Sequence, residues 1–131
     1  MIGIVLVSHS HLQATGLQEM AVQISHGFVE IAAAGGIDDQ TIGTNAERIY
    51  QAIQEVFSPD GVLILFDLGS ALLSTQLAIE MLSAKQRSKI KLSDAPMVEG
   101  AIAAVIEASL GHNLEEVNAA AEAARDMQKI L

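Results

Sequence analysis

The chain has no cysteine among its 131 residues. That excludes disulfides, thiolate nucleophiles and cysteine metal sites, and it suits a reducing cytosol. Tryptophan is absent as well, and with one Tyr and three Phe the aromatics reach only 3 %. The core must therefore be aliphatic, and a flavin pocket would lack its aromatic flanks. Positive charge is scarce: 7 Lys and Arg stand against 16 Asp and Glu, a net charge of −9. A phosphate-tracking surface needs clustered cations, and the nearest thing to a cluster is Lys85, Arg87, Lys89 and Lys91. Nucleic acid and anionic membrane are poor partners for such a chain. No apolar run reaches the roughly 18 residues that a membrane span needs. No basic region precedes an apolar stretch at the N-terminus, so a signal peptide is not expected. What is plentiful is apolar side chain, 50 % of the residues. A sizeable core follows, and the length suits one domain over residues 1–131.

The apolar residues come in a repeating order. Residues 4–7 form a short buried strand that runs into Ser8-His9-Ser10-His11, the pattern of a central strand in a parallel sheet. Leu17, Met20, Ala21 and Ile24 mark the inner face of a helix over residues 11–25, which His26-Gly27 ends. A second strand is expected over residues 28–33, then a turn-rich loop over 34–39. Thr44 and Glu47 have the spacing of a capping box for a second helix, with Ala46, Ile49, Tyr50, Ile53 and Phe57 inward. The most apolar strand, residues 62–66, ends at Asp67. Gly69-Ser70 then opens a helix with Leu73, Leu77 and Met81 inward. Residues 90–92 read as a short edge strand whose lysines suit exposure. Ser93-Asp94-Ala95-Pro96 starts a helix to Leu110 with a wide stripe of Met97, Val98, Ala101, Ile102, Val105 and Ile106. The breadth of that stripe points to a homodimer. Asn113 and Glu116 cap a last helix to about Lys129. The order βαβαβαβαα predicts an α/β fold: a mainly parallel four-stranded sheet with helices on both faces.

If the strands are parallel, every strand-to-helix turn lies at one edge of the sheet, where ligands and reacting groups gather. His9, Gly35-Gly36 and Asp67-Leu68-Gly69-Ser70 then meet, and the turn before Pro96 joins them. A carboxylate that accepts the proton of a histidine Nδ1 fixes the ring's tautomer and leaves Nε2 as nucleophile. Helix N-termini offer unpaired N–H groups to an anion. Ser8, Ser10, Thr44 and Ser70 add hydroxyls. These parts describe a phosphorylated histidine, His9, oriented by Asp67, with Ser10, Gly35, Gly36, Thr44, Gly69 and Ser70 as anion-binding positions. No metal site is expected. No Lys or Arg lies in residues 2–11, 33–44 or 66–73, so a phosphoryl group would be held weakly, as a relay requires. Each residue also has an ordinary structural reading. A histidine after a strand is commonly a satisfied turn residue, Asp67 would serve as a helix cap, and Gly35-Gly36 would serve a tight turn. His11 would either line the same site or stand exposed on the first helical turn, the second being the ordinary role, and His26 and His112 suit helix-ending turns. A receiver domain needs an acidic pair where Ser8-His9-Ser10 stands, and a histidine phosphatase needs an Arg before its His.

The segments IVLVSHS, AAAGGIDDQTIGT, GVLILFDLGSALLS and APMVEGA, in that order, resemble the mannose-type enzyme IIA domains of the bacterial phosphoenolpyruvate-dependent phosphotransferase system (PTS). Among these the chain is most similar to the phosphocarrier subunits of dihydroxyacetone kinases. The resemblance implies a cytoplasmic homodimer without cofactor, phosphorylated at His9 by the carrier protein HPr. It further implies transfer to ADP on the ADP-binding kinase subunit, while another subunit binds dihydroxyacetone in glycerol metabolism. Sugar-transporting relatives carry a Gly-Gly-Ser-Pro-like turn after the Asp, where this chain has Leu68-Gly69-Ser70-Ala71. A sugar-transporting enzyme IIA and a flavodoxin-like regulatory domain are the alternatives. Because the sequence stops at Leu131, the donor is expected to be a separate protein.

Overall fold

The structure, a computed structural model, describes residues 1–130. Four aliphatic segments pair in one direction: β1 (Gly3–Ser8), β2 (Ile31–Gly35), β3 (Val62–Phe66) and β4 (Ile90–Leu92). Their order is β2-β1-β3-β4, with every neighbouring pair parallel. The helices between and after them are α1 (His11–Ile24), α2 (Ala46–Val56), α3 (Ala71–Glu80), α4 (Ala84–Arg87), α5 (Met97–Ser109) and α6 (Leu114–Ala123), followed by a 3-10 turn at Ala124–Asp126.

The two central strands read as unbroken apolar runs because both of their faces are covered. Alternate side chains feed two cores. Ile4, Leu6, Leu63 and Leu65 pack with Leu17 of α1, Val105 of α5 and Val117 of α6. Val5, Val7, Val62 and Ile64 pack with Ile49 and Ile53 of α2 and with Ala71 and Ala78 of α3. Each fully buried aliphatic side chain contributes about 1.5–3 kcal/mol. A one-residue slip of β1 would exchange its two buried sets, so the register that sets the end of β1 beside the end of β3 is firmly held.

The architecture is the one the alternation predicts, and several local expectations change. The second strand is Ile31–Gly35, not residues 28–33, and Phe28 is exposed. On α1, Leu17 and Ala21 are buried but Met20 and Ile24 are not. The cap of α2 is Asn45, whose Oδ1 accepts from the N–H groups of Glu47 and Arg48. There is no Thr44–Glu47 box, and the Thr44 hydroxyl pairs with Ser74 at 2.8 Å. On α3 the inner residues are Ala71, Thr75 and Ala78, while Leu73, Leu77 and Met81 face solvent. Small residues let this helix lie close to the sheet, so its large residues take the outer side. On α5, Met97, Ala101 and Val105 are buried, and Val98 and Ile106 are exposed. The Asn113–Glu116 capping box forms as expected, but α6 stops at Ala123, short of Lys129. The four-residue α4 was not legible in the sequence.

Candidate active site

Asp67 continues β3 by one residue: its N–H donates to the Val7 carbonyl at 3.1 Å. The ladder thus carries the carboxyl group alongside Ser8 and His9 as they leave β1. The Asp67 oxygens divide their partners. Oδ1 receives the Leu68 N–H at 2.8 Å and faces His9 Nδ1 at 2.9 Å. Oδ2 receives the His9 N–H at 3.0 Å, the Ser8 hydroxyl at 2.9 Å and the Gln13 amide at 3.1 Å. A carboxylate only accepts, so the proton between it and the ring belongs to Nδ1. That leaves Nε2 as the acceptor, and the Ser70 hydroxyl, 2.9 Å away, donates to its lone pair. The His9 side chain is about one quarter exposed, at 26 %, and that of Asp67 only 11 %. A partner can therefore reach the imidazole but not the group that aims it.

Burial, the largest single influence, works against charge on Asp67. The His9 N–H, the His9 ring and the Ser8 hydroxyl together outweigh it, and the carboxyl pKa ends below its ordinary value. Asp67 is thus ionised at neutral pH, and it carries the charge that would balance a cationic ring.

Ser10 is the N-cap of α1, its Oγ accepting from the Gln13 N–H, while its own N–H donates to Ser8 Oγ at 3.0 Å. Gly35 packs under the start of that helix. A Cβ there would fall 2.4 Å from the Ser10 carbonyl oxygen, so only glycine admits this approach. Gly36 turns at φ +75° and donates its N–H to the Ser8 carbonyl, so that amide is not open to an anion as anticipated. The Gly43 N–H donates to the His9 carbonyl at 2.8 Å. Thr44, held by Ser74, makes no hydrogen bond to the His9 group. The N–H groups of Gly69 and Ser70, before α3, have no partner among the described residues. The turn before Pro96 ties elsewhere, to Glu122 and Arg125. His11 turns toward Asp39, which also holds Arg48 at 2.8 Å. Arg48 is thereby engaged, and among the described residues no Lys or Arg is bonded to His9 or Asp67. His26 sits in a left-handed helix-ending turn and His112 pairs with Glu107. No cluster of three metal-ligating side chains occurs among the described residues.

Sequence reasoning missed Gln13. The signal was present, since Ser10 and Gln13 have capping-box spacing, but the second half of that box does not form.

Residues 3–118 match the family described as PTS system fructose IIA component, EIIA-man. The chain is 40 % identical, over its whole length, to a PEP-dependent dihydroxyacetone kinase phosphoryl donor subunit, DhaM, of Providencia stuartii, and spans 28 % of that protein. It thus covers about a quarter of the length of the first such relatives. A DhaM subunit of Listeria innocua is 39 % identical, with 89 % of this chain and 94 % of that protein aligned. Among solved structures, EF1359, a protein of unknown function, superposes with a TM-score of 0.80 at 39 % identity, covering 92 % of each chain. A four-stranded parallel sheet with a strand-end histidine aimed by a carboxylate is thus joined to a sequence match over most of the chain, and the chain belongs to the EIIA-man family, among its DhaM-like members.

Proposed function

We propose that this chain is a phosphohistidine relay of a PTS-dependent dihydroxyacetone kinase. The observation that carries this reading is the His9–Asp67 pair, Nδ1 to Oδ1 at 2.9 Å, on a ring whose side chain is one quarter exposed. The Nε2 lone pair attacks the phosphorus of phospho-HPr. The new N–P bond forms as the donor's N–P bond breaks. In the second step a terminal phosphate oxygen of ADP, bound on the ADP-binding subunit, attacks the same phosphorus. The Nε2–P bond breaks and ATP is formed there, to phosphorylate dihydroxyacetone on the subunit that binds it. Asp67 balances the positive ring of the intermediate. The Ser70 hydroxyl, 2.9 Å from Nε2 in the resting site, turns from that nitrogen to an incoming phosphoryl oxygen. The Gly69 and Ser70 amides of the same turn, without a partner among the described residues, are further donors. None of these donors carries a charge that would trap the group.

As one domain over residues 1–131 the chain would work in the cytoplasm, where HPr is found. Among the described residues no helix is long and apolar enough to cross a membrane. The exposed Val98 and Ile106 on α5 support a homodimer through that helix, which sedimentation of an Ile106→Asp variant tests by its loss of mass. The relay itself is tested by incubation with phosphoenolpyruvate, enzyme I and HPr, followed by mapping of an acid-labile, base-stable phosphate. Label on His9, and none in His9→Ala, is expected. Label retained by His9→Ala refutes the assignment.

A further inference from the structure

Gln13 occupies the third position of α1, three residues after the Ser10 cap. In a capping box its side chain would accept the N–H of the cap residue. Here that N–H is taken by Ser8 Oγ at 3.0 Å. The Gln13 amide is thereby released, and its Nε2 donates forward to Ser8 Oγ at 3.0 Å and to Asp67 Oδ2 at 3.1 Å. We propose that Gln13 is a positioning residue for His9, acting through Asp67. The proposal rests on His9 being the phosphorylated group.

Oδ2 receives three donors, from His9, Ser8 and Gln13. Two of them come from residues adjacent in β1 and the turn after it. Among the described residues only Gln13 reaches the carboxylate from a helix, and so ties the first turn of α1 to the end of β3. With Oδ2 held from this side the carboxylate cannot rotate, and Oδ1 stays on His9 Nδ1. An amide suits this position because it donates without charge, so Asp67 keeps a full negative charge for the ring. A glutamate would make a better capping box but would set a second carboxylate against Asp67 Oδ2. Among the described residues, the titratable groups bonded within this cluster are His9 and Asp67. His11, Asp39 and Arg48 form a separate group around the start of α1.

The test compares full-length wild type with Gln13→Leu, Gln13→Ala and Gln13→Glu. The first readout is the ring nitrogen chemical shifts of 15N-labelled His9 in the resting protein, which report tautomer and titration midpoint. The second is the rate of labelling by phospho-HPr. Gln13→Leu and Gln13→Ala are expected to mix the ring tautomers and to slow labelling about fivefold to tenfold. Gln13→Glu is expected to raise the His9 midpoint and to slow labelling at least as much. A role confined to capping α1 predicts the reverse order, with Gln13→Glu at or above wild type. Wild-type labelling and an unchanged His9 midpoint in Gln13→Glu would overturn the proposal, as would unmixed tautomers in folded Gln13→Leu or Gln13→Ala. The tautomer readout needs no phosphoryl donor, so it judges Gln13 even if His9→Ala were to keep its label and the relay assignment fell.

Discussion

At the scale of single residues, the site is a division of labour between two oxygens of one carboxylate. Asp67 Oδ1 aims the ring and Oδ2 anchors the carboxylate to β1 and α1. Removing it in Asp67→Ala frees the ring's tautomer, leaves the Ser8 hydroxyl without its acceptor and leaves the Gln13 amide with Ser8 Oγ alone. Labelling by phospho-HPr should slow about 100-fold, the low end for loss of a group that orients a nucleophilic or acid–base histidine. Stability has its own signature. Because the folded-state pKa of Asp67 is depressed, the linked stabilisation is present in full above the unfolded-state value and is lost as pH falls through the folded one. Urea titrations should therefore show wild type more stable than Asp67→Asn by a constant margin near neutrality, narrowing only at pH below about 4. A margin that narrows between pH 6 and 8 would assign the linkage to another group.

At the scale of elements, the strand ends place the site and the caps of the following helices refine it. Ser10 and Asn45 both hold the first turn of a helix that springs from the site edge. Asn45 also donates to the Ile37 carbonyl at 3.0 Å, pinning the loop that carries Gly36 and Asp39. Asn45→Ala should lower unfolding free energy by about 1 kcal/mol. Thr44→Val, at the neighbouring position, gives up a single hydroxyl pair with Ser74 and no cap, and should have the smaller effect in the same thermal melts. Equal losses would restore Thr44 as the cap. Sequence spacing could not separate the two, since both residues are good caps and both precede Glu47. The same limit explains α3. Its period is helical on either side, and only the closeness of helix to sheet selects Ala71, Thr75 and Ala78 over Leu73 and Leu77 for the interior.

At the scale of the whole molecule, charge and apolar surface are unevenly shared. The residues bordering the His9 turn include the exposed Leu12, Ile42 and Leu68. Lys85 and Lys89 lie with Phe57 and Pro59 around a shallow cavity at the other end of the sheet, where the Val62 N–H meets the Lys89 carbonyl. A partner that must reach Nε2 meets a rim poor in cations. The labelling rate with phospho-HPr should therefore change less than about threefold between 50 and 500 mM salt, since screening acts on exposed charges. Alanine at Lys85, Lys89 and Lys91 should leave it unaltered. A steep salt dependence removed by those alanines would place docking on the wrong end of the molecule.

The sequence by itself determined the parallel α/β plan and the meeting of His9 with Asp67. Strands buried on both faces have one register, and right-handed crossovers bring every strand-to-helix turn to one edge. Tertiary structure alone decided which oxygen of Asp67 faces the ring, that Ser70 covers Nε2, that the Gly36 amide is closed, and that Gln13 abandons its cap for the carboxylate. Those choices depend on distances across strands and helices far apart in the chain. Spacing along a sequence fixes the partners a side chain has within its own helix, and it carries no record of a competitor such as Ser8 Oγ that takes one of them away.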